Sequence, residues 1–296
     1  MEFHQLEAFV ALAREGSFTA AAERLNLSQP SLSARIGRLE ASLGGRLVER
    51  GKRPLALTDL GRAMLPYAER ALSILAEAAA AAQSEALQTA GELKVGCPFS
   101  VAAYLMPEVL VRFGRAYPRA ELLIETATSD VVVGQLADGL INLAFAAAFP
   151  KFLAQMHLLR RFHDEMAVAV APGHPLAAEK SATLGQALAH RQLLVHWGPA
   201  FHAYVESLRQ MIPGPGPLLR LPLAAALPMA RQPDIVTFLP RRLLTVAGLV
   251  AVAVPGFYFA WDTALLTRPQ RALTRLEQAF VDISLEVWRA SQPPAP

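Results

Sequence analysis

The strongest constraint on this chain sits at its amino terminus, where three short helical patterns, each with its own start and stop signal, run into a compact basic hairpin. Residues 4–14 place Leu6, Phe9, Val10 and Ala13 at helical spacing, and Gly16 ends that run. Ser17 is placed to cap a second helix, whose alanines Ala20, Ala21 and Ala22 leave room for close packing. Asn26 suits its left-handed exit. Ser28 then caps a third helix, with Pro30 in the first turn, where a missing N–H costs little. Leu32, Ile36, Leu39 and Leu43 form one apolar stripe; Ser31, Arg35 and Arg38 lie on another face, with Ser33 on its flank. Gly44-Gly45 stop the helix. From Arg46 to Leu57 two short extended runs flank a basic tip holding Gly51 and Pro54, the signature of a hairpin wing.

These parts are those of a winged helix-turn-helix, which inserts the polar N-terminal side chains of its third helix among base edges. Gln29 suits bidentate contact with an adenine edge, and Ser33 can meet a base or a phosphate. Arg35, Arg38 and the wing residues Arg50, Lys52 and Arg53 can neutralise phosphates or enter a minor groove. Ser17, Thr19, Ser28, Pro30 and Ser31 complete the expected DNA-facing set. The net charge of +3, from 28 basic and 25 acidic residues, says little by itself. Its distribution says more, because Arg35–Arg53 holds six cations against Glu40 and Glu49. An amphipathic helix with a solvated basic face would give the same third helix alone; three helices and a wing together argue against that.

Thr58 or Asp59 can cap a long helix reaching about Gln88, about 30 residues or roughly 45 Å. Met64, Ala68, Leu72, Leu75 and Ala79 lie on one side of it, so it reads as a connector that also dimerises. After Gly91 short apolar runs (Leu93–Gly96, Glu121–Glu125, Ile141–Phe145) alternate with helical segments near 100–116 and 130–138. Further strands are expected at Met166–Val170, Gln192–His196, Leu218–Leu221, Asp234–Leu239, Leu249–Val254 and Trp261–Leu266, and a last helix over Arg271–Arg289. This alternation indicates α/β units around largely parallel sheets. The single cysteine, Cys97, excludes an intrachain disulfide and fits a reducing compartment. The amino terminus has no secretory pattern. Leu243–Gly256, broken by Gly248 and Pro255, is too short for a membrane span. The expectation is a soluble cytoplasmic protein with no membrane partner.

The residues Leu6-Glu-Ala-Phe9, Gly16-Ser-Phe-Thr-Ala-Ala-Ala22, Leu25, Ser28-Gln-Pro-Ser-Leu-Ser33, Ile36, Leu39-Glu40, Leu43-Gly44, Leu47, Arg50, Leu57-Thr58 and Gly61 resemble the LysR-type transcriptional regulators. The resemblance implies that Gln29, Pro30 and Ser33 face bases and that Arg53 lies near the minor groove. One departure is Val48, where the family usually has Phe, leaving less bulk beneath the wing. The rest of the chain is similar, more weakly, to the family's effector domain, through Gly91-Glu-Leu-Lys-Val-Gly96, Leu105-Met-Pro107, Phe113, Tyr117-Pro118, Leu136–Phe145, Pro172-Gly-His-Pro-Leu176 and Phe238-Leu-Pro240. That implies a two-lobed fold like the periplasmic binding proteins (type II), with a small-molecule effector in the interlobe cleft. The implied partition is a DNA-binding domain over residues 1–58, a linker and dimerisation helix over 59–90, and an effector domain over 91–296. Within the last, lobe I takes about 91–162 and 268–296 and lobe II about 163–267, with crossings near Phe162–Glu165 and Leu265–Pro269. The implied partners are double-stranded DNA, an effector, a second copy through the linker helix, a homotetramer and RNA polymerase. Asn142 stands where the family usually has Asp, and Gln232-Pro-Asp234 replaces a glycine-rich turn, so the pocket is expected to differ from familiar members.

In such a cleft helix N-termini present free N–H groups to anions. Ser100, beside Pro98 and Phe99, begins the first lobe helix, and Thr128-Ser129 precede the second; plain N-caps without a ligand weigh equally. Phe145 can line the cleft or fill core. His196-Trp-Gly-Pro-Ala-Phe-His-Ala-Tyr204 brings His196, Trp197, Phe201, His202 and Tyr204 to a strand-to-helix junction, where α/β clefts hold ligands. His196 and His202 lack metal-ligand spacing or a nearby Cys, so an aromatic-walled organic ligand, or surface structure, suits the stretch better than a metal. Cys97 is a sensor thiol or a small buried residue. An enzyme is not expected, because His163, His174, His190, His196 and His202 are scattered and no nucleophile motif accompanies them. No cofactor is expected. A constitutive DNA-binding oligomer without an effector is the other alternative.

Overall fold

The computed structural model describes residues 1–49, 55–84 and 90–291. The chain forms two compact units, Met1–Gln88 with Gln135–Ile141, and Thr89–Gly134 with Asn142–Pro296. In the first, α1 (Phe3–Glu15), α2 (Phe18–Arg24) and α3 (Gln29–Leu43) enclose a core of Leu6, Phe9, Leu12, Leu32, Ile36 and Leu39. Burying each of the last three, which have no exposed surface, contributes about 1.5–3 kcal/mol. The stop signals act as expected. Gly16 and Gly44 take left-handed conformations, with φ of 63° and 73°, and Asn26 does the same at 52°. Ser28 caps α3 by accepting the N–H of Ser31 at 3.3 Å. Ser17 does not cap α2 through its side chain, contrary to expectation; the extended backbone there makes the turn without it.

The wing begins as β1 (Val48–Glu49) paired antiparallel with β2 (Ala56–Leu57). Leu47 and Val48 are fully buried, so the smaller side chain at 48 still seals the base of the wing. The buried carboxylate of Glu40 accepts the backbone N–H of Leu47 at 2.8 Å and, more weakly, that of Val48 at 3.4 Å. Thr58 donates its N–H to the Leu47 carbonyl at 3.0 Å, and its Oγ1 accepts the N–H of Gly61 at 3.0 Å, starting α4 (Asp59–Ser84, 26 residues). The linker helix thus rises about 39 Å. Its apolar stripe divides: Met64, Ala68 and Leu72 pack on the three-helix core, while Tyr67, Ile74, Leu75 and Ala79 are exposed.

The second unit holds two five-stranded sheets. The first has the order β4-β3-β5-β12-β6: β3 (Ala90–Cys97), β4 (Arg119–Thr126), β5 (Leu143–Ala147), β6 (His157–Phe162) and β12 (Thr263–Thr267). The second runs β11-β7-β10-β8-β9: β7 (Met166–Val170), β8 (Arg191–Val195), β9 (Leu218–Leu221), β10 (Ile235–Pro240) and β11 (Val250–Val252). The connecting helices are α5 (Phe99–Tyr104), α6 (Met106–Ala116), α7 (Ser129–Ala137), α8 (Pro150–Leu153), α9 (Leu184–Ala189), α10 (Pro199–Gln210), α11 (Leu223–Met229), α12 (Leu243–Ala247) and α13 (Arg275–Ala290). Strands β5, β7, β10 and β12 are buried along their whole length, as strands covered on both faces must be.

Three expectations are corrected. The helix expected over 100–116 breaks at Leu105, because Pro107 in the first turn of α6 cannot donate a helical hydrogen bond. Strand β6 carries no apolar run and was not anticipated; four of its six residues are arginine, histidine or exposed leucine. Most important, β12 belongs to the first sheet, antiparallel to both β5 and β6. The second crossing therefore precedes Thr263 instead of falling at Leu265–Pro269, and residues 263–267 leave lobe II for lobe I.

Gly61 is the tightest contact in the amino-terminal unit: a Cβ there would stand 2.1 Å from the Leu47 carbonyl oxygen and 3.3 Å from Leu57 Cβ. Gly61→Ala should lower stability by about 1–3 kcal/mol by forcing the wing base off α4. Urea unfolding followed by far-ultraviolet circular dichroism checks this.

Candidate functional site

The exposed edge of the three-helix unit is built by α3. With Leu32, Ile36 and Leu39 turned inward, the first turn presents Ser28, Gln29, Pro30 and Ser31 to solvent. Ser33 and Arg35 are half-buried and Arg38 is exposed, on the same polar side. Neither arginine has an ion-pair partner among the described residues. Thr19 is exposed and Ser17 half-buried at the start of α2. The dipole of α3 adds positive potential to the same end. The wing-tip cations Arg50, Lys52 and Arg53 lie outside the described residues.

In the second unit two crossovers join the sheets, and they pair with each other. Trp261 donates its N–H to the Asp164 carbonyl at 2.8 Å, Met166 donates to Phe259 at 2.9 Å, and Glu165 bridges Ala260. Beside them the loop after β5 meets the loop after β8. The Phe149 ring lies 6.2 Å from Trp261, which lies 5.3 Å from Trp197, both edge to face. Gly198 beside them has a φ of 103°, a conformation that favours glycine, and packs against the Phe149 ring. Phe149 and Trp261 were missed in the sequence. Phe149 follows an alanine-rich strand, and Trp261 reads as the first residue of the expected strand Trp261–Leu266.

The expected ligand residues divide. Phe99 is 44% exposed and Thr128 is exposed. Ser100 is buried in the first turn of α5, whose N-cap is Pro98. Ser129 accepts the N–H of Ala147 at 3.0 Å, so its hydroxyl joins α7 to β5. Phe145 and Phe201 do not line a cleft: both are fully buried, Phe145 against Phe162 and Phe201 against Phe238 and Phe259. Their strand and helix positions point them inward. Trp197 is almost covered and donates its indole N–H to the Phe238 carbonyl at 2.9 Å. Tyr204 packs on Phe257 and Phe259, and its hydroxyl accepts the N–H of Tyr258 at 2.9 Å, so it supports the returning chain. His196 is exposed, and His202 donates Nε2–H to the Val195 carbonyl at 3.1 Å. Their rings are 5.8 Å apart, and no group of three metal-ligating side chains exists among the described residues.

Asn142 is held to β3 by two bonds: its Oδ1 accepts the Lys94 N–H at 2.8 Å, and its backbone N–H donates to the Lys94 carbonyl at 2.8 Å. Cys97 is the last residue of β3 and fully buried, and burial pushes its thiol up to about 12. That excludes a thiolate at neutral pH. The native protein should therefore react with a disulfide reagent at pH 8 only as fast as it unfolds, whereas urea exposes one thiol; absorbance at 412 nm reads both.

Asp164 accepts the backbone N–H of Glu165 at 2.9 Å and that of Arg242 at 3.4 Å. Burial nevertheless outweighs these bonds and pushes its carboxyl from 3.8 up to about 6. A raised carboxyl contributes most below its unfolded value, and that contribution is lost as pH rises through the folded value. Asp164→Asn should therefore gain stability relative to the wild type between pH 4 and pH 7. Parallel urea titrations across that range measure the gap.

Residues 3–62 match a family model described as bacterial regulatory helix-turn-helix protein, lysR family, and residues 86–289 match the LysR substrate binding domain. The chain is 35% identical to a probable RuBisCO transcriptional regulator of Thalassiosira pseudonana, over 62% of this chain and 60% of that one. It is 31% identical to the regulator YvbU of Bacillus subtilis, over 71% of each chain. Among solved structures it resembles full-length OxyR of Pseudomonas aeruginosa, with a TM-score of 0.71, 22% identity and coverage of 100% and 99%. Full-length CbnR complexed with its target DNA gives a TM-score of 0.69, 24% identity and coverage of 97% and 100%. No helix among the described residues is long and apolar enough to cross a membrane. With the helix-turn-helix model at one end and the substrate-binding model over more than half its length, the chain belongs to the LysR family of transcriptional regulators, with an amino-terminal helix-turn-helix and a two-lobed α/β effector-binding domain.

Proposed function

We infer that this regulator reads double-stranded DNA with α3 and the wing, and that a small molecule bound between its two lobes alters that reading. The observation that carries the first part is the division of α3. Its apolar stripe is spent on the core, while Ser28, Gln29, Pro30 and Ser31 stand uncovered at its positively polarised end. Gln29 and Ser33 contact base edges; Ser17, Thr19, Ser31, Arg35, Arg38 and the wing residues Arg50, Lys52 and Arg53 contact the backbone. CbnR, a protein of the same fold, was solved with its target DNA.

The domains act as residues 1–58 for DNA, 59–90 for pairing two copies, and the remainder for sensing. Tyr67 at 68%, Ile74 at 51% and Leu75 at 48% exposure give α4 the apolar surface that a second copy covers. Two such dimers form a homotetramer, which meets RNA polymerase at the promoter in the cytoplasm. The chain catalyses no reaction. The effector enters between Phe99, Ser100 and Thr128 on one lobe and the His196–Gly198 loop on the other, against Phe149 and Trp261.

Gln29→Ala and Ser33→Ala should each reduce discrimination between the operator and scrambled DNA by about 1–3 kcal/mol at fixed salt, with non-specific affinity unchanged. Competition binding with the full chain measures it. Unaltered preference in both variants removes the base-reading role of these two residues.

A further inference from the structure

We propose that Arg242 is a clasp between the lobes, holding lobe II against the last turn of helix α13 in lobe I and so setting the angle at which the crossovers rest. Arg242 is the N-cap residue of α12, directly after β10, and belongs to lobe II by chain position. Its side chain leaves that lobe. Nη1 donates to the Trp288 carbonyl at 2.9 Å and to Ser291 Oγ at 2.8 Å, and the guanidinium lies 3.4 Å above the Trp288 ring. Trp288 is part of lobe I. It is 5% exposed, and its ring packs on Phe162 of β6 at 5.1 Å and on Tyr104 of α5 at 6.0 Å.

One side chain thus caps a helix carbonyl, sets a cation at the negative end of a helix, and covers an indole face. Each contribution is favourable by itself. The backbone around it is tied to the first crossover. Arg242 donates its N–H to Asp164, and Arg241 donates its N–H to the Glu165 carbonyl at 2.9 Å and pairs with the Glu165 carboxylate at 2.7 Å. The corner after β10 therefore grips the crossover and α13 together. The contact is cross-lobe, so a change in lobe angle changes its geometry. Lysine replaces it only in part, since an ammonium keeps the charge and the donors but does not stack flat on indole. A ligand that favours another lobe angle works against this clasp, which gives the lobes a preferred resting state. The inference concerns lobe geometry alone and does not depend on the effector or operator reading.

Amide hydrogen exchange on the full chain, without ligand, tests it. Arg242→Ala should accelerate exchange at Met166 and Trp261, whose N–H groups pair the crossovers, by about tenfold or more. Peptides in α1, α3 and the centre of β8 should keep wild-type rates. Arg242→Lys should fall between the two and remains readable where the alanine variant does not fold. Unchanged exchange at the crossovers in the folded variants overturns the proposal, as does acceleration spread equally over both sheets.

Discussion

Two stretches of backbone, Asp164–Met166 and Phe259–Trp261, set how the two sheets of the second unit are joined. They run antiparallel, and each donates to the other: Trp261 to Asp164 and Met166 to Phe259. The pairing follows from topology. The chain leaves the first sheet from its edge strand β6 and re-enters beside that strand as β12, so the two connections must run side by side in opposite directions. Backbone groups that would be costly to bury alone satisfy one another. With the crossovers fixed, the loop after β5 and the loop after β8 are brought into contact, and Phe149, Trp197 and Trp261 close on each other there. Arg242, Trp288 and Tyr104 gather at the same junction.

The amino-terminal unit rests on a comparable economy of backbone contacts. The Leu47 carbonyl accepts the Thr58 N–H and leaves no room for a side chain at position 61. Glu40, reaching from α3, accepts the N–H groups of Leu47 and Val48. Recognition helix, wing base and linker helix are thereby joined around the fully buried Leu47 and Val48. The smaller Val48 is accommodated because these polar ties, and not side-chain bulk alone, hold the wing base down.

Legibility in the sequence tracked how local the determining interaction was. The α3 helix could be drawn from Ser28 to Gly44 because its cap, proline, apolar stripe and stop signal all lie within it. The connector was legible for the same reason, although its apolar stripe did not disclose that Met64 and Leu72 are covered while Leu75 is exposed. Strand β6 was missed because His157, Arg160 and Arg161 break any apolar run. Phe201 and Tyr204 looked like ligand residues because a strand-to-helix junction is where α/β clefts hold their ligands, while Phe145 could be read either as cleft lining or as core. Phe145 and Phe201 prove to be core, and Tyr204 spends its hydroxyl on the Tyr258 backbone. Which way an aromatic side chain points depends on the twist and register of strands far away in the chain.

What the amino-acid sequence determined by itself is the amino-terminal unit: three helices with their stop signals, the base of a wing, and the family to which that combination belongs. Local caps and a 3.6-residue period suffice there, because each helix covers its neighbour within some 15 residues of chain. The α/β texture of the second half was also written locally, in alternating strand and helix patterns. The assignment of strands to lobes was not. The apolar run Thr-Ala-Leu-Leu-Thr of β12 could sit in either sheet, since any strand buried on both faces reads alike. Only the tertiary structure placed it between β5 and β6, where backbone pairing with residues about 100 positions earlier decides its sheet. The same long-range pairing brought Phe149 to Trp261 and Arg242 to Trp288, contacts between residues whose local sequence carries no sign of each other.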